Sequence, residues 1–251
     1  MSAPFGGPAL QAAGLTRRFG GLTAVGDVSL SLSVGELHAV IGPNGAGKST
    51  LVNLLSGTLA PSAGQVMLSG QDVTGWPSWR LAQAGIGRSF QRTNVMREMT
   101  VFENVRLAAQ ARDFPMRRWL RAAAAQRPPI EAARVALDRV GLSPAGVAGT
   151  LSHGQLRLLE IAMALATAPR VLLLDEPLAG MGPEEGERVA ALLKALAIDH
   201  AVLLIEHDMD FVFSVADTMT VMVDGRVLEQ GTPPRIRASA AVREAYLGHD
   251  L

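Results

Sequence analysis

Residues 42–50 read Gly42-Pro43-Asn44-Gly45-Ala46-Gly47-Lys48-Ser49-Thr50. They fit the pattern G-x-x-x-x-G-K-[ST], in which glycines let the backbone curl until successive N–H groups point at phosphate oxygens. The segment follows the strand-forming run Leu37–Ile41 and precedes a predicted helix from Lys48 to about Ser56, whose N-terminus adds partial positive charge. An ordinary glycine-rich turn would not need these flanks, so the pattern predicts a phosphate site at the end of a strand.

Lysine is scarce in this chain, which makes its position informative. Only Lys48 and Lys194 are lysines among the 23 Lys+Arg residues, so arginine is the general cation. We expect Lys48 to reach the β- and γ-phosphates of ATP and Ser49 to offer its hydroxyl to Mg²⁺. The whole segment Gly42–Thr50 is expected to line the nucleotide.

A second segment, Val171-Leu-Leu-Leu-Asp-Glu-Pro177, is an apolar run that ends in two adjacent carboxylates. Side chains alternate along a strand, so neighbouring acids face different ways. Asp175 is predicted to hold Mg²⁺ and Glu176 to address the attacking water. Many buried strands end in an acid, so this segment alone is a weak indication of a Mg²⁺ site. Together with the glycine-rich segment before it, the indication becomes strong.

Composition excludes several classes of protein. The chain has 251 residues, 48% hydrophobic and 18% charged, enough for one core or a core with a satellite subdomain. Its net charge of +0 gives no sign of a nucleic-acid partner, and the absence of cysteine excludes disulfides. The first residues lack the basic region of a secretory signal, and no apolar run is long enough to cross a bilayer, so we expect an intracellular protein.

Predicted strands alternate with predicted helices along most of the chain. This order favours an α/β fold with a mostly parallel sheet covered on both faces. A long helical pattern from about Thr100 to Ala168 interrupts it. The predicted strands are Val28–Leu32, Leu37–Ile41, Gln65–Leu68, Ile86–Phe90, Val171–Leu174, Ala201–Ile205, Thr218–Val223 and Val227–Gln230.

Leu151-Ser-His-Gly-Gln155, which we call the signature segment, precedes the helical pattern Leu156–Ala168. By itself it is typical of a helix N-cap formed by Ser152, with Gly154 easing the turn. In sequence order, however, the glycine-rich segment, Gln91, the signature segment, Asp175-Glu176-Pro177 and His207 resemble the ATP-binding subunits of ABC transporters. The resemblance covers about Leu10 to Gly231.

The resemblance implies an α/β P-loop ATPase with an N-terminal antiparallel β subdomain and an inserted helical subdomain. The nucleotide-binding core and β subdomain would span about 10–93 and 169–231, the helical subdomain about 94–168, and a C-terminal helical tail 232–251. Such proteins work as dimers, in which each ATP lies between one chain's glycine-rich segment and the other chain's Ser152, Gly154 and Gln155.

Three further roles follow from the resemblance by position. Phe19 would stack on adenine, Gln91 would sense Mg²⁺ and couple to the permease, and His207 would contact the γ-phosphate. Each residue has a simpler alternative, since Phe19 could be a core aromatic, Gln91 a surface polar residue and His207 a helix cap.

A narrower resemblance links the chain to importers of branched-chain amino acids. Related importers of urea, short amides and aromatic acids share much of the same pattern. The resemblance implies ATP and Mg²⁺ as cofactors and a second, distinct ATPase subunit as partner. It also implies two membrane permeases, an indirectly linked solute-binding protein, no nucleic acid, and a place on the cytoplasmic face of the bacterial inner membrane. It rests on Phe19–Val25, Gly87–Gln91, Arg97–Asn104, Leu159–Ala162, Ala164–Thr167 and Glu244–Gly248.

Two residues depart from the family pattern. His153 replaces the first glycine of the signature segment, and Gly182 stands where an aspartate is usual. Gly182 leaves open a degenerate module that binds ATP with little turnover, although Glu176, Gln91 and His207 are intact. Soluble ABC proteins of DNA repair or translation carry a coiled coil or a second ATPase unit that this chain lacks, and the guanine-reading motif of GTPases is absent.

Overall fold

The computed structural model describes residues 7–89, 94–112 and 127–247. The strands are β1 (Leu10–Phe19), β2 (Leu22–Leu32), β3 (Leu37–Ile41), β4 (Ala63–Leu68), β5 (Gln71–Asp72), β6 (Ile86–Arg88), β7 (Val171–Asp175), β8 (Ala201–Ile205), β9 (Thr218–Val223) and β10 (Arg226–Gly231). The helices are α1 (Lys48–Leu55), α2 (Ser78–Ala84), α3 (Val101–Arg112), α4 (Arg127–Val140), α5 (His153–Ala166), α6 (Pro183–Asp199), α7 (Met209–Val215), α8 (Pro233–Ala238) and α9 (Ala240–Leu247).

The central sheet has the strand order β10-β9-β3-β8-β7-β6. All of its pairings are parallel except that of β10 with β9. Every residue of β3, β7 and β8 is buried, as expected for strands covered on both faces. The predicted mostly parallel sheet is therefore confirmed.

Alternate residues of the central strands enter different cores. Leu173 and Leu203 pack with α1 and the N-terminal strands, whereas Leu172 and Leu204 pack with α3 to α6. A third cluster places Ile41 against residues from α7, α8 and α9. This two-sided packing fixes the ends of β3, β7 and β8 side by side, which is where the chemically interesting residues lie.

A second sheet is antiparallel, in the order β2-β1-β4-β5. Leu10 pairs with Leu32 of β2 and with Leu68 of β4. The expected antiparallel β unit is thus present, although the sequence did not single out β1 as a strand. This sheet packs over α1, the helix that follows the glycine-rich segment.

The helical pattern of the middle region contains α3, α4 and α5, which share one apolar cluster. The predicted continuous helical stretch is interrupted at 141–152, where Gly141 and Gly146 adopt positive φ and a short 3₁₀ turn spans Ala148–Thr150. The strand predicted over Ile86–Phe90 ends at Arg88, and Phe90 lies outside the described residues. Within the described ranges, no helix is both long and apolar enough to cross a membrane.

Candidate functional site

The glycine-rich segment forms a loop between β3 and α1. Its glycines at 42 and 47 have φ of 153° and 96°. A Cβ at Gly42 would lie 2.1 Å from the carbonyl oxygen of Met222, and one at Gly47 would lie 2.4 Å from that of Ala24. Only glycine tolerates both the dihedral angles and these close backbone approaches. The loop is therefore held in its curled shape by β9 and β2.

Lys48 opens α1 and turns back over the loop. Its Nζ donates to the carbonyl oxygens of Gly42, at 2.6 Å, and Pro43, at 3.0 Å. Burial lowers the pKa of Lys48, while the nearby charges of Glu176 and Asp175 raise it. The loop thus holds one ammonium group beside two carboxylates, at the N-terminus of a helix whose N-cap, Gly47, has no side chain. This arrangement suits an anion flanked by a bound cation.

Asp175 ends β7 and is 2% exposed. Among the described residues, neither of its carboxylate oxygens has a hydrogen-bond partner. Burial raises the pKa of Asp175, and the Arg88 guanidinium, with Nη2 3.8 Å from Oδ2, lowers it. A buried carboxylate with two such oxygens is unusual unless a further group binds it. Its hard oxygen ligands fit a divalent cation such as Mg²⁺.

Arg88 belongs to the site, although the sequence suggested no role for it. Its Nη1 donates to Asn53 Oδ1 at 2.8 Å and to Ser56 Oγ at 2.7 Å, both in or next to α1. Its other terminal nitrogen faces Asp175. The guanidinium therefore joins the helix after the glycine loop to the end of β7. The one feature of the sequence that could have indicated a role for Arg88 is its position three residues before Gln91.

Glu176 follows β7 in a left-handed conformation, with φ of 50°. Its backbone N–H donates to Ile205 O at 2.9 Å, which continues the pairing of β7 with β8. A non-glycine residue in this region costs roughly 1–3 kcal/mol and persists only where its surroundings impose it. The two adjacent acids therefore differ in exposure. Asp175 is buried within the sheet, whereas Glu176 is half-buried just after the end of β7.

His207 follows β8, and its imidazole is 71% exposed. The N-cap of α7 is Asp208, whose Oδ1 accepts from Phe211 N at 3.0 Å. The alternative that His207 caps a helix is therefore wrong. The strand pairing of Asp175 with Ile205 places His207 and Glu176 after the ends of adjacent strands. Gln91, the third predicted catalytic residue, lies outside the described residues.

Phe19 ends β1 and is 44% exposed, so the alternative of a core aromatic is wrong. The Arg17 guanidinium lies 4.6 Å from its ring centroid. Phe19 pairs with Leu22 of β2, and the same strand brings Ala24 against Gly47 of the glycine loop. The hairpin that carries Phe19 thus reaches the loop and leaves an aromatic face exposed beside it.

The signature segment forms the predicted N-cap. Gln155 N–H donates to Ser152 Oγ at 3.2 Å, and Ser152 N–H donates to Gln155 Oε1 at 3.0 Å, a reciprocal capping box. Ser152 and Gln155 are exposed, and Gly154 is buried against α6. In the described part of the chain, no hydrogen bond or ion pair joins this turn to residues 42–50 of the same chain. The site assembled within one chain consists of the loop, Arg88, Asp175, Glu176 and His207.

Comparison with known proteins gives matches that cover nearly all of the chain. A family model described as "ABC transporter" matches residues 25–179, and one described as "Branched-chain amino acid ATP-binding cassette transporter" matches residues 226–251. The chain is 42% identical to the high-affinity branched-chain amino acid transport ATP-binding protein BraF of Pseudomonas aeruginosa, over 96% of this chain and 98% of the relative. It is 40% identical to LivG of Escherichia coli, a protein of the same description, with the same coverage.

Solved structures of ATP-binding cassettes have the same architecture. A nucleotide-free ATP-binding cassette from an ABC transporter superposes with a TM-score of 0.85 at 30% identity, covering 95% of this chain and 98% of that one. A structure described as the ADP conformation of an ATP-binding cassette of an ABC transporter gives a TM-score of 0.84 at 31% identity, covering 96% of this chain and 99% of that one.

Proposed function

The chain belongs to the family of ABC transporter ATP-binding proteins, and we propose that it powers the import of branched-chain amino acids, or of related amino acids or amides, through a membrane permease. It binds and hydrolyses ATP, as its family does. The observation that carries the assignment is the convergence of Lys48, Asp175 and Glu176 where β3 and β7 end. The solute is inferred from relatives whose names give branched-chain amino acid transport and that match almost the entire chain.

The glycine loop and Lys48 bind the ATP phosphates in this proposal. The curled backbone supplies N–H donors, and Lys48, which now donates to its own loop, redirects its ammonium group to the β- and γ-phosphate oxygens. Phe19 stacks on adenine from the exposed end of the β1–β2 hairpin. The half-buried position of Lys48 strengthens its interaction with an anion, because water screens the charge less there.

Asp175 and Ser49 would hold Mg²⁺, together with Gln91. The support is the pair of buried Asp175 oxygens without partners among the described residues. When bound, Mg²⁺ neutralises negative charge on the β- and γ-phosphate oxygens. Arg88 faces Asp175 from the side of α1, and its positive charge partly offsets the rise in the pKa of Asp175 that burial causes.

Glu176 acts as the base for hydrolysis. The water oxygen forms a bond to the γ-phosphorus while the bond from that phosphorus to the β–γ bridging oxygen breaks, giving ADP and inorganic phosphate. The water's proton passes to the Glu176 carboxylate. His207 contacts the γ-phosphate from the end of the neighbouring strand, and Ser152 of an opposing subunit stabilises the charge that develops there.

The partners follow from the separation of the signature segment from the glycine loop. Each ATP site would be completed by the Ser152, Gly154 and Gln155 of a second ATPase subunit, which we propose to be a distinct chain. Two permease subunits would hold the pair at the cytoplasmic face of the bacterial inner membrane, and a solute-binding protein would deliver the solute.

Glu176→Gln tests the hydrolytic role. The isosteric amide cannot take the water's proton, so turnover should fall roughly 10²- to 10⁴-fold while ATP binding is kept. Glu131→Gln, an exposed glutamate on α4, is the matched control and should hydrolyse normally. Wild-type turnover in Glu176→Gln would remove this residue from the mechanism. Negligible turnover by the native chain together with its partners would instead indicate a nucleotide-binding module without hydrolysis.

A further inference from the structure

Glu206 is a buried acid that the mechanism above does not use. It lies between Ile205, the last residue of β8, and His207, and it is 1% exposed. Glutamate is almost never fully buried unless its charge is paired or hydrogen-bonded. Glu206 lies between the segment that follows Glu176 and the segment that begins with His207.

Each oxygen of Glu206 accepts one backbone hydrogen bond. Leu178 N–H donates to Oε1 at 2.9 Å, and His207 N–H donates to Oε2 at 3.2 Å. The first donor comes from the segment that follows Glu176, and the second is the backbone of His207 itself. One carboxylate thus joins the two loops that carry the proposed catalytic groups.

These hydrogen bonds extend a connection that the sheet begins. Glu176 N–H donates to Ile205 O at 2.9 Å. Two residues after Glu176, the Leu178 N–H donates to the side chain of Glu206, the residue that follows Ile205. The turn between them is also closed by Ala179 N–H donating to Glu176 O at 3.2 Å. Glu176 adopts its φ of 50° inside this closed turn. A strained conformation of that kind needs several contacts to maintain it.

Burial raises the pKa of Glu206 above its ordinary value, and the charge of Glu176 adds to that rise. The two backbone N–H donors and His207 act in the opposite direction and offset only part of it. Because the two N–H donors meet different oxygens of Glu206, a glutamine in the same place would set its NH₂ group against one of them.

We propose that Glu206 is a positioning residue, whose carboxylate fixes the backbone after Glu176 and the backbone of His207 in one rigid arrangement. In that arrangement the Glu176 carboxylate meets the attacking water and the His207 imidazole meets the γ-phosphate of the same ATP. The inference rests on the proposed role of Glu176 and deepens it. Glu206 itself touches neither nucleotide nor water in this account.

The first experiment is Glu206→Gln, measured for steady-state ATP hydrolysis by the native subunit complex. The amide offers one acceptor oxygen, and its NH₂ group faces the second N–H donor. We expect kcat to fall about 10- to 100-fold, the loss that one disrupted hydrogen bond in a rigid site produces, while KM for ATP stays within about twofold. The glycine loop is untouched, so binding should be preserved. Glu131→Gln on the exposed face of α4 is again the matched control.

The second experiment is the double variant Glu176→Gln/Glu206→Gln, assayed in single turnover. If Glu206 acts through Glu176 and His207, the double variant should lose less activity than the product of the two single losses, because residues of one unit are not additive. A multiplicative further loss would overturn the proposal, as would wild-type kcat in Glu206→Gln or a fall that appears in KM alone. Wild-type turnover in Glu176→Gln, by contrast, would overturn the proposed function itself.

Glu206→Asp serves if the glutamine variant does not fold. Aspartate keeps the charge but is one methylene shorter, so it cannot reach both N–H donors from the same backbone. A cooperative melting transition and normal ATP binding establish that this variant is folded. Lowered kcat in the folded variant supports the proposal, and wild-type kcat excludes it.

Discussion

The Glu185 carboxylate lies against the backbone of Gly154, so that a Cβ added to Gly154 would sit 3.0 Å from each carboxylate oxygen. Glu185 Oε2 also accepts a hydrogen bond from Gly182 N–H at 3.3 Å. A single side chain of α6 therefore links the signature segment to the segment after Glu176. Both segments would face the second subunit in the proposed dimer, and Glu185 makes them one unit.

Gly154→Ala should reveal this link. Alanine favours a helix over glycine by about 1 kcal/mol, but its Cβ displaces Glu185, whose lost hydrogen bond costs about 0.5–1.5 kcal/mol. The free energy of unfolding should therefore change by less than about 0.5 kcal/mol in the native chain, whereas in a Glu185→Ala background Gly154→Ala should stabilise by about 0.5–1 kcal/mol. Urea denaturation measures both. The exposed neighbour Glu184→Ala is the control background, and equal effects in all backgrounds would exclude the link.

Lys48→Ala should weaken ATP binding by about 10- to 100-fold. The variant loses a charge-assisted contact worth roughly 1.5–3 kcal/mol. Calorimetry gives the dissociation constant, and Lys194→Ala, which removes the exposed lysine of α6, should leave it unchanged. An unaltered constant in Lys48→Ala would show that the loop does not bind phosphate through this residue.

Gly182→Asp should be accommodated and should change hydrolysis by the isolated subunit more than hydrolysis by the partnered complex. Gly182 has φ of −81° and ψ of 171°, which any residue adopts, and a Cβ there would meet nothing within 4 Å. In a pair with a distinct ATPase, the partner would supply one segment with the usual aspartate at the position of Gly182. The complex would therefore tolerate Gly182 in this chain. Rates of the isolated chain, measured over a range of concentrations, should rise steeply with concentration. Full activity of the isolated chain at every concentration contradicts an obligatory partner.

Tyr246 should titrate well above the ordinary range for tyrosine. It packs with Ile41 and the residues of α7 to α9 that cover it, and it receives a backbone hydrogen bond from Gly42, the first glycine of the loop. Burial raises the pKa of Tyr246 to about 12 from its usual 10.0. Since the folded pKa lies above the unfolded value, this group's contribution to stability is present below pH 10 and is lost as pH rises toward 12.

Tyrosinate absorbance measures this titration directly, because Tyr246 is the only tyrosine in the chain. The folded protein should show no tyrosinate near pH 10, whereas the urea-unfolded protein should be half ionised there. Half-ionisation of the folded protein near pH 10 would mean that α9 does not cover the phenol in solution.

The features determined by the sequence alone are those that depend on neighbours a few residues apart. The glycine pattern before Lys48, the acids Asp175 and Glu176 at and after the end of β7, and the Ser152–Gln155 cap are local arrangements. Spacing and residue type were therefore enough to predict them. The alternation of strands and helices likewise predicted the mostly parallel sheet, because the apolar periodicity of each strand and helix is visible within a few neighbouring residues.

Only the tertiary structure decided which distant residues complete the site. Arg88 reaches Asp175 across 87 positions, Glu206 reaches Leu178 across 28, and Glu185 meets Gly154 across α5, β7 and the turn that follows. A buried charge leaves no periodic signal in a sequence, since its partners are backbone groups or side chains brought together by sheet pairing. The positive φ of Glu176 is of the same kind, because it accompanies the hydrogen bond that Glu176 N–H donates to Ile205 O in β8.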